Sequence, residues 1–144
     1  DNRQYTNALD LTDRLLAIEP QNAACWLNRG CFLVELSDYD QAINAFDRVL
    51  GLETNNYTAI LYRAIASLRS DKLDDALKDY EAVQREYPKA HQVYYGLGEI
   101  AYRRKDTNAA LRHYESYLSN APPDYVEAKF VADRIKELRG DKPK

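Results

Sequence analysis

The sequence predicts an all-α fold in which antiparallel helix pairs stack into an α-solenoid. Two observations lead to this prediction. Shifting the chain by 34 residues brings similar side chains into columns, which marks an internal repeat. Within each repeat, apolar residues recur at steps of three and four, which is the period of an amphipathic helix. A unit of two short helices cannot bury its apolar faces alone, so stacked neighbours are expected.

Six columns share this register. The alanine and small-residue columns predict a close approach of the two helices in each pair, where Gly30 and Ala42 lie, and the aromatic column predicts side chains that fill the space between layers. The columns are Ala8, Ala42, Ala76 and Ala110; Gly30, Ala64, Gly98 and Ala132; Thr12, Phe46, Tyr80 and Tyr114; Leu9, Ile43, Leu77 and Leu111; Trp26, Ile60, Tyr94 and Ala128; and Pro20, Thr54, Pro88 and Pro122.

The elements follow from the columns in chain order. The first segment matches only the second helix of a pair, three full units come next, and the last helix aligns with a first helix and predicts a cap for the array. In order, these segments are 1–22, 23–56, 57–90, 91–123 and the capping helix 124–139, followed by a tail, 140–144, that is predicted to be disordered.

Polar residues and prolines predict where the helices begin and end. The connections SDY, DKL and DTN carry side chains typical of helix starts. The prolines fall just beyond the second helices, where the chain must turn before the next pair. Paired carboxylates such as Asp74 and Asp75 also fall at a helix start, where negative charge interacts favourably with the helix dipole. This position favours a capping role over an acid–base site.

The segment 1–22 is expected to expose the face on which its own first helix would pack. The natural protein therefore continues upstream, or another segment or subunit covers this face, and self-association through the exposed N-terminal half repeat is possible. The sequence lacks methionine, which favours an excised domain or a processed chain.

Composition excludes several classes of function. The net charge of −3 disfavours a general nucleic-acid binder. Without an apolar run of membrane-spanning length or a secretory signal, no direct membrane insertion is expected, and a cytoplasmic location is the default. Cys25 and Cys31 lie too far apart along one helix for a disulfide, and neither histidine has a neighbour at metal-ligand spacing. No catalytic or phosphate-binding motif occurs, so neither an enzyme nor a cofactor is predicted.

These columns resemble the tetratricopeptide repeat, whose signature places Trp, Leu-Gly and Tyr on the first helix and Ala, an aromatic residue and Pro on the second. The sequence departs from that pattern at three kinds of position. Arg29 and Arg63 replace the leucine, and Thr54 replaces the proline of the first unit. Ser37, Asp71 and Lys105 stand before the second helices, where glycine is common.

The resemblance implies a concave groove, lined by the first helix of each pair, that holds a peptide or a partner helix. Its apolar part is expected to receive apolar anchors, and its aromatic and charged part is expected to set orientation and specificity. The expected residues are Leu27, Cys31, Val34, Leu61, Ile65 and Leu68 for the first part and Tyr95, Glu99, Tyr102 and Arg103 for the second, with Val126, Lys129, Asp133 and Lys136 added by the capping helix.

Some relatives clamp the C-terminal carboxylate of heat-shock chaperones with a basic and amide set. The matching positions here offer no strong donor, and Glu99 would repel a carboxylate, so that function is not expected. The residues at those positions are Leu27, Cys31, Ile65, Tyr95 and Glu99.

The predicted function is therefore that of a non-catalytic protein–protein interaction scaffold or adaptor, with a protein or peptide as partner. One alternative is a chaperone for an export substrate, since small secretion chaperones resemble three such repeats with a closing helix. Another is a self-associating structural or regulatory part of a larger repeat protein. In a third interpretation the apolar strip is covered by neighbouring segments and is additional core.

Overall fold

The computed structural model describes residues 2–140, and within this range the regular structure is entirely helical. Eight α-helices follow one another with short connections. They are α1 (Asn2–Ile18), α2 (Ala23–Glu35), α3 (Tyr39–Leu52), α4 (Tyr57–Arg69), α5 (Leu73–Glu86), α6 (His91–Arg103), α7 (Thr107–Asn120) and α8 (Val126–Arg139).

The chain divides into two compact units. Unit 1 comprises residues 1–79 and unit 2 comprises residues 80–144, so the boundary falls inside α5. In unit 1, α2 packs against α1 and α3, and α4 packs against α3 and also contacts α2. In unit 2, α7 packs against α6 and α8.

The core of unit 1 is built around Phe46, which is fully buried with Ala42 and Val49 on the inner face of α3. Gly30 of α2 lies directly against this ring. A Cβ atom at Gly30 would come within 2.4 Å of the Phe46 ring. The interpretation of Gly30 as a close-packing position is therefore confirmed, and the aromatic side chain occupies the space that glycine leaves.

Unit 2 repeats this arrangement with tyrosine in place of phenylalanine. Tyr114 of α7 is fully buried, and a Cβ atom at Gly98 of α6 would lie 2.6 Å from its ring. Gly96, two residues earlier and therefore on the opposite side of α6, leaves the same kind of space for Tyr80. Val131 of α8 closes this core.

The left-handed turns between the helices of each pair explain why glycine is common there. Ser37, Asp71 and Lys105 have φ values of 62°, 62° and 60°. Each turn closes with the two hydrogen bonds of a Schellman motif. After α2, for example, the Ser37 N–H donates to the Val34 carbonyl and the Asp38 N–H donates to the Leu33 carbonyl. Non-glycine residues at these positive φ angles cost conformational energy.

Side-chain caps hold the starts of several helices. The Asn22 carboxamide oxygen accepts the Cys25 N–H at 3.0 Å, and Asn56 accepts the Ala59 N–H at 2.9 Å one repeat later. Asp38 and Asp106 cap α3 and α7 in the same way. Such caps satisfy backbone N–H groups that have no partner inside the helix.

The junctions between repeats share a second device. The Trp26 indole N–H donates to the Pro20 carbonyl at 2.8 Å, and the Tyr94 hydroxyl donates to the Pro88 carbonyl at 2.6 Å. The two donors occupy the same column of the repeat, two units apart. Each ties the first turn of a first helix to the proline corner that precedes it.

The end of the chain differs in two details from the prediction. The last helix begins at Val126, two residues after the predicted start of the capping helix. Gly140 is not irregular, because its left-handed backbone, with φ of 76°, forms the C-terminal cap of α8. The remainder of the predicted disordered tail, 141–144, lies outside the described residues.

Candidate functional site

The apolar part of the predicted groove falls in unit 1, on the first helices α2 and α4. Leu27 and Cys31 of α2 and Leu61 and Ile65 of α4 are half-buried. Their remaining apolar surface belongs to two helices that contact each other. Exposed apolar surface concentrated in one place is typical of a binding surface.

Two residues predicted for this part lie in the interior instead. Val34 retains 3% exposure and packs into the core cluster beside Phe46. Leu68 retains 6% exposure. Both residues belong to the last turn of a first helix, where the chain folds back through a left-handed turn. The expectation that these two side chains receive a partner's anchors is therefore corrected.

The two cysteines differ in access, and both are free thiols. Cys25 is buried, and its thiol donates to the Thr12 carbonyl at 3.5 Å. Burial, and to a lesser degree the charge of Glu35, raises the pKa of Cys31. Cys31 is thus a partly accessible thiol with little thiolate at neutral pH, which suits a groove lining rather than a nucleophile.

The second part of the predicted groove falls in unit 2, on α6. Tyr95, Glu99 and Tyr102 are half-buried and lie one turn apart, whereas Arg103 at the end of the helix is exposed. The Tyr114 hydroxyl donates to Glu99 at 2.5 Å. Burial is the main cause that raises the pKa of Tyr114, followed by this hydrogen bond, so the phenol stays protonated and fixes the carboxylate in place.

Arg134 of α8 is a site residue that sequence reasoning missed. Its guanidinium carbon lies 3.8 Å from the centroid of the Tyr102 ring and 4.9 Å from that of Phe130. Its Nε lies 3.9 Å from a carboxylate oxygen of Glu137, which in turn receives a long hydrogen bond of 3.4 Å from the Tyr102 hydroxyl. Arg134 therefore lies at the centre of a surface shared by α6 and α8.

The repeat register explains why Arg134 was missed. It assigned a different set of α8 residues to the groove, and the structure leaves all four exposed. Two of them pair with each other at 3.6 Å, between the Lys136 ammonium and the Asp133 carboxylate. The full set is Val126, Lys129, Asp133 and Lys136.

An aromatic cluster surrounds the first turns of α6 and α8. The His91 ring meets Tyr117 and Tyr125 edge to face, at centroid distances of 5.8 and 4.9 Å. Tyr95 packs on Tyr117 at 5.8 Å. Among the described residues, the Tyr117 hydroxyl and His91 Nε2 are buried without a hydrogen-bond partner. Burial, then the charges of Glu127 and Tyr125, raises the pKa of Tyr117.

The two arginines that depart from the family pattern have specific partners. Arg29 donates through Nε to Asp13 at 2.7 Å. Arg63 donates to Asp47 at 2.7 Å and makes two further bonds of 2.7 Å to the two carboxylate oxygens of Asp79. Asp13 and Asp47 are 34 residues apart, as are the two arginines, so these pairs form columns of the repeat that could have been found in the sequence.

Cavities lie beside both arginines. One, of about 240 Å³, is lined by Arg63 together with Lys72, Lys78 and Asp75. The other, of about 280 Å³, lies beside Arg29 and the Trp26 indole. The cations and carboxylates of the first cavity are matched, whereas in the second Arg29 and Arg48 stand against Asp13 alone.

The α1 helix carries exposed apolar side chains, as predicted for the N-terminal half repeat. Leu11, Leu15 and Ile18 are exposed and follow helical spacing, so they form one stripe. Over residues 2–140, no group of three or more His, Cys, Asp and Glu side chains is arranged to hold a metal ion. In the same range, no helix is long and apolar enough to cross a membrane.

This succession of short helix pairs, in which Gly30 faces the Phe46 ring and Gly98 faces the Tyr114 ring, defines a helical repeat protein. A sequence profile described as tetratricopeptide repeat matches residues 1–57, 27–81 and 61–125. The chain belongs to the tetratricopeptide repeat family, and the predicted fold class is confirmed. A comparison with curated protein sequences gave no significant match.

Solved structures share the fold at low sequence identity. The chain is similar to MamA 41-end from Desulfovibrio magneticus RS-1, with 20% identity and a TM-score of 0.78 over 95% of this chain and 85% of that one. It is also similar to YrrB, a TPR protein with an unusual peptide-binding site, with 14% identity and a TM-score of 0.73 over 97% and 72%. The Sgt2 TPR domain from Aspergillus fumigatus gives 21% identity and a TM-score of 0.67 over 85% of both chains.

Proposed function

We propose that this chain is a non-catalytic protein–protein interaction module that binds a peptide or helix of a partner protein. The observation that carries the proposal is the row of half-buried apolar side chains on the neighbouring first helices α2 and α4. Leu27, Cys31, Leu61 and Ile65 keep apolar surface that the chain itself does not cover. An amphipathic helix or an extended peptide with apolar anchors is the complement of such a surface.

The structural alternative is that these residues serve only as additional core. Their burial is only partial, unlike that of Val34 and Leu68, which favours a surface role. YrrB, a relative in fold, is described as having a peptide-binding site, which supports the same class of partner. The proposal for unit 2 is that Tyr95, Glu99, Tyr102 and Arg103 contribute orientation and specificity through hydrogen bonds and charge.

The test is a selection of dodecapeptides from a displayed library against the chain, followed by titration of the selected peptides. Leu61→Glu and Ile65→Lys should each weaken binding at least tenfold, because both place a charge among apolar anchors. The two charges have opposite signs, so a loss in both variants would not depend on the charge of the peptide. Asn44→Glu and Asn44→Lys are the matched controls, since Asn44 is exposed on the second helix α3. Circular dichroism verifies that every variant remains helical.

Cys31 offers an independent measurement on the same surface. A selected peptide should slow the alkylation of this partly accessible thiol, because the peptide would cover it. Selected peptides that bind the Leu61→Glu and Ile65→Lys variants as well as the parent, and leave Cys31 reactive, would show that the apolar row is not the binding site.

The exposed stripe of α1 favours a second candidate function, self-association. Leu11, Leu15 and Ile18 would pack against the same residues of another copy. Light scattering as a function of concentration tests this: a mass that rises with concentration in the parent and stays monomeric in Leu15→Glu supports it. A parent chain that stays monomeric throughout argues against it.

A further inference from the structure

The helices α6 and α8 of unit 2 form a joint surface, which we term the α6–α8 face. It is defined by Tyr95, Glu99, Tyr102, Phe130, Arg134 and Glu137. Side chains of the two helices meet on this face, where Arg134 contacts the Tyr102 ring and the Tyr102 hydroxyl donates to Glu137. The face is aromatic and acidic in composition, unlike the apolar row of unit 1.

Carboxylates outnumber cations on this face. Glu127, one turn before Phe130 on α8, helps to raise the pKa of Tyr95, after burial and the charge of Glu99. Within the face as defined, the carboxylates of Glu99 and Glu137 stand against the single guanidinium of Arg134, a formal charge of −1. Beside it, the charge of Glu127 is offset by that of Arg103. A partner that carries positive charge is therefore electrostatically favoured, and a carboxylate-bearing partner is disfavoured.

The carboxylates of the face retain capacity to bind. The Tyr114 hydroxyl donates to Oε1 of Glu99, and a carboxylate can accept further hydrogen bonds through its remaining lone pairs. Glu137 is exposed, and its contacts with Arg134 and Tyr102 are long, at 3.9 and 3.4 Å. A closer cation from a partner would form a stronger pair with either carboxylate.

The aromatic rings of this face already bind a guanidinium. Arg134 lies over the Tyr102 ring at 3.8 Å and within 4.9 Å of the Phe130 ring centroid. Phe130 itself remains exposed. Because aromatic faces attract cations, the contact made by Arg134 shows in the chain's own residues the kind of group that this face accepts.

We propose that the α6–α8 face recognises a basic segment of the partner, with arginine or lysine side chains directed at its rings and carboxylates. This inference rests on the proposed binding function and specifies the chemistry of the partner in unit 2. Arg134 then acts as an internal competitor, since its guanidinium occupies part of the surface that a partner's cation would use.

The experiment measures the fluorescence anisotropy of four labelled dodecapeptide pools. The pools are randomised except at two positions, four residues apart, that are fixed as arginine, lysine, norleucine or glutamate. The arginine pool should bind at least tenfold more tightly than the glutamate pool, and added salt should reduce the difference. Glu99→Gln and Glu137→Gln should each weaken the arginine pool about two- to fivefold. Glu81→Gln, an exposed position on α5, is the control of equal charge change.

Arg134→Gln separates recognition from a purely structural role. The variant should strengthen binding of the arginine pool about two- to fivefold, because it frees the rings from a competing cation. If it binds this pool more weakly although circular dichroism shows an intact fold, the proposal is overturned. The two glutamate variants decide the matter if Arg134→Gln does not fold.

The outcomes also distinguish this inference from the proposed function. Equal binding of the arginine and glutamate pools overturns the inference. If the norleucine pool then still binds and loses affinity in Leu61→Glu, the binding function stands without it. Binding by none of the pools counts against both.

Discussion

The ion pair between Arg63 and Asp79 allows a quantitative test of how this repeat protein tolerates a departure from its family pattern. Arg63 stands where relatives carry leucine, and it donates two hydrogen bonds to Asp79 and one to Asp47. Asp79 retains 5% exposure, whereas the Arg63 side chain retains 26% and that of Asp47 retains 51%. The two ends of the pair should therefore respond differently to substitution.

Arg63→Leu restores the family residue and should nevertheless be the more damaging change. It leaves the buried Asp79 carboxylate without its two donors, and breaking a buried pair in this way costs about 3–5 kcal/mol. Asp79→Leu leaves Arg63 partly solvated and still bonded to Asp47, so a smaller cost of about 1–3 kcal/mol is expected. The double substitution removes both charges and should return to within about 1 kcal/mol of the parent.

Urea denaturation followed by far-ultraviolet circular dichroism gives the free energy of unfolding for the four proteins of this cycle. The coupling energy between the two positions should be several kcal/mol, because each single variant suffers from the charge or donors left behind. Additive single effects, or a double variant less stable than either single one, would refute this account, in which Arg63→Leu destabilises the protein because it leaves the buried Asp79 carboxylate without donors.

Three further predictions concern single positions. Lys105→Gly should raise the free energy of unfolding by about 0.5–1 kcal/mol, because the relief of the positive φ angle outweighs the entropy that glycine adds to the unfolded chain. Asp71→Gly should gain less stability, since aspartate tolerates this conformation better than lysine does. A destabilised Lys105→Gly variant would contradict the turn geometry. Gly30→Ala should cost about 1–3 kcal/mol in thermal or urea unfolding by overpacking, while Gly51→Ala, with open space around its Cβ, should not destabilise. Alkylation of Cys31 should be slow at pH 7, and its pH profile should reach half-maximum at a higher pH than that of an ordinary thiol, because burial raises its pKa. Fast modification at neutral pH would contradict that environment.

The fold could be predicted because its determinants are local and recur. Gly30 and Phe46 lie on consecutive helices joined by one short turn. The same pairing returns as Gly98 with Tyr114, so one repeat supports the interpretation of another. The left-handed angle at Ser37 could also have been inferred, since glycine is common at that position in the family.

The binding surface was less predictable, because it depends on how far neighbouring helices cover a given side chain. Val34 and Leu27 both follow groove spacing, yet only Leu27 keeps exposed surface, a difference of packing at the helix end that spacing does not encode. Arg134 escaped for a related reason: its importance comes from the ring of Tyr102, 32 residues earlier, and from no motif of its own.

The corner at Pro20 gives this chain a built-in optical probe. Trp26 is the sole tryptophan, and its indole N–H is held by the Pro20 carbonyl while the guanidinium carbons of Arg29 and Arg48 lie 6.0 and 5.9 Å from its ring. Its emission therefore senses the joint between α1 and α2. A shift in emission that precedes the loss of helical signal during denaturation would reveal the detachment of α1 as a separate step, without any added label.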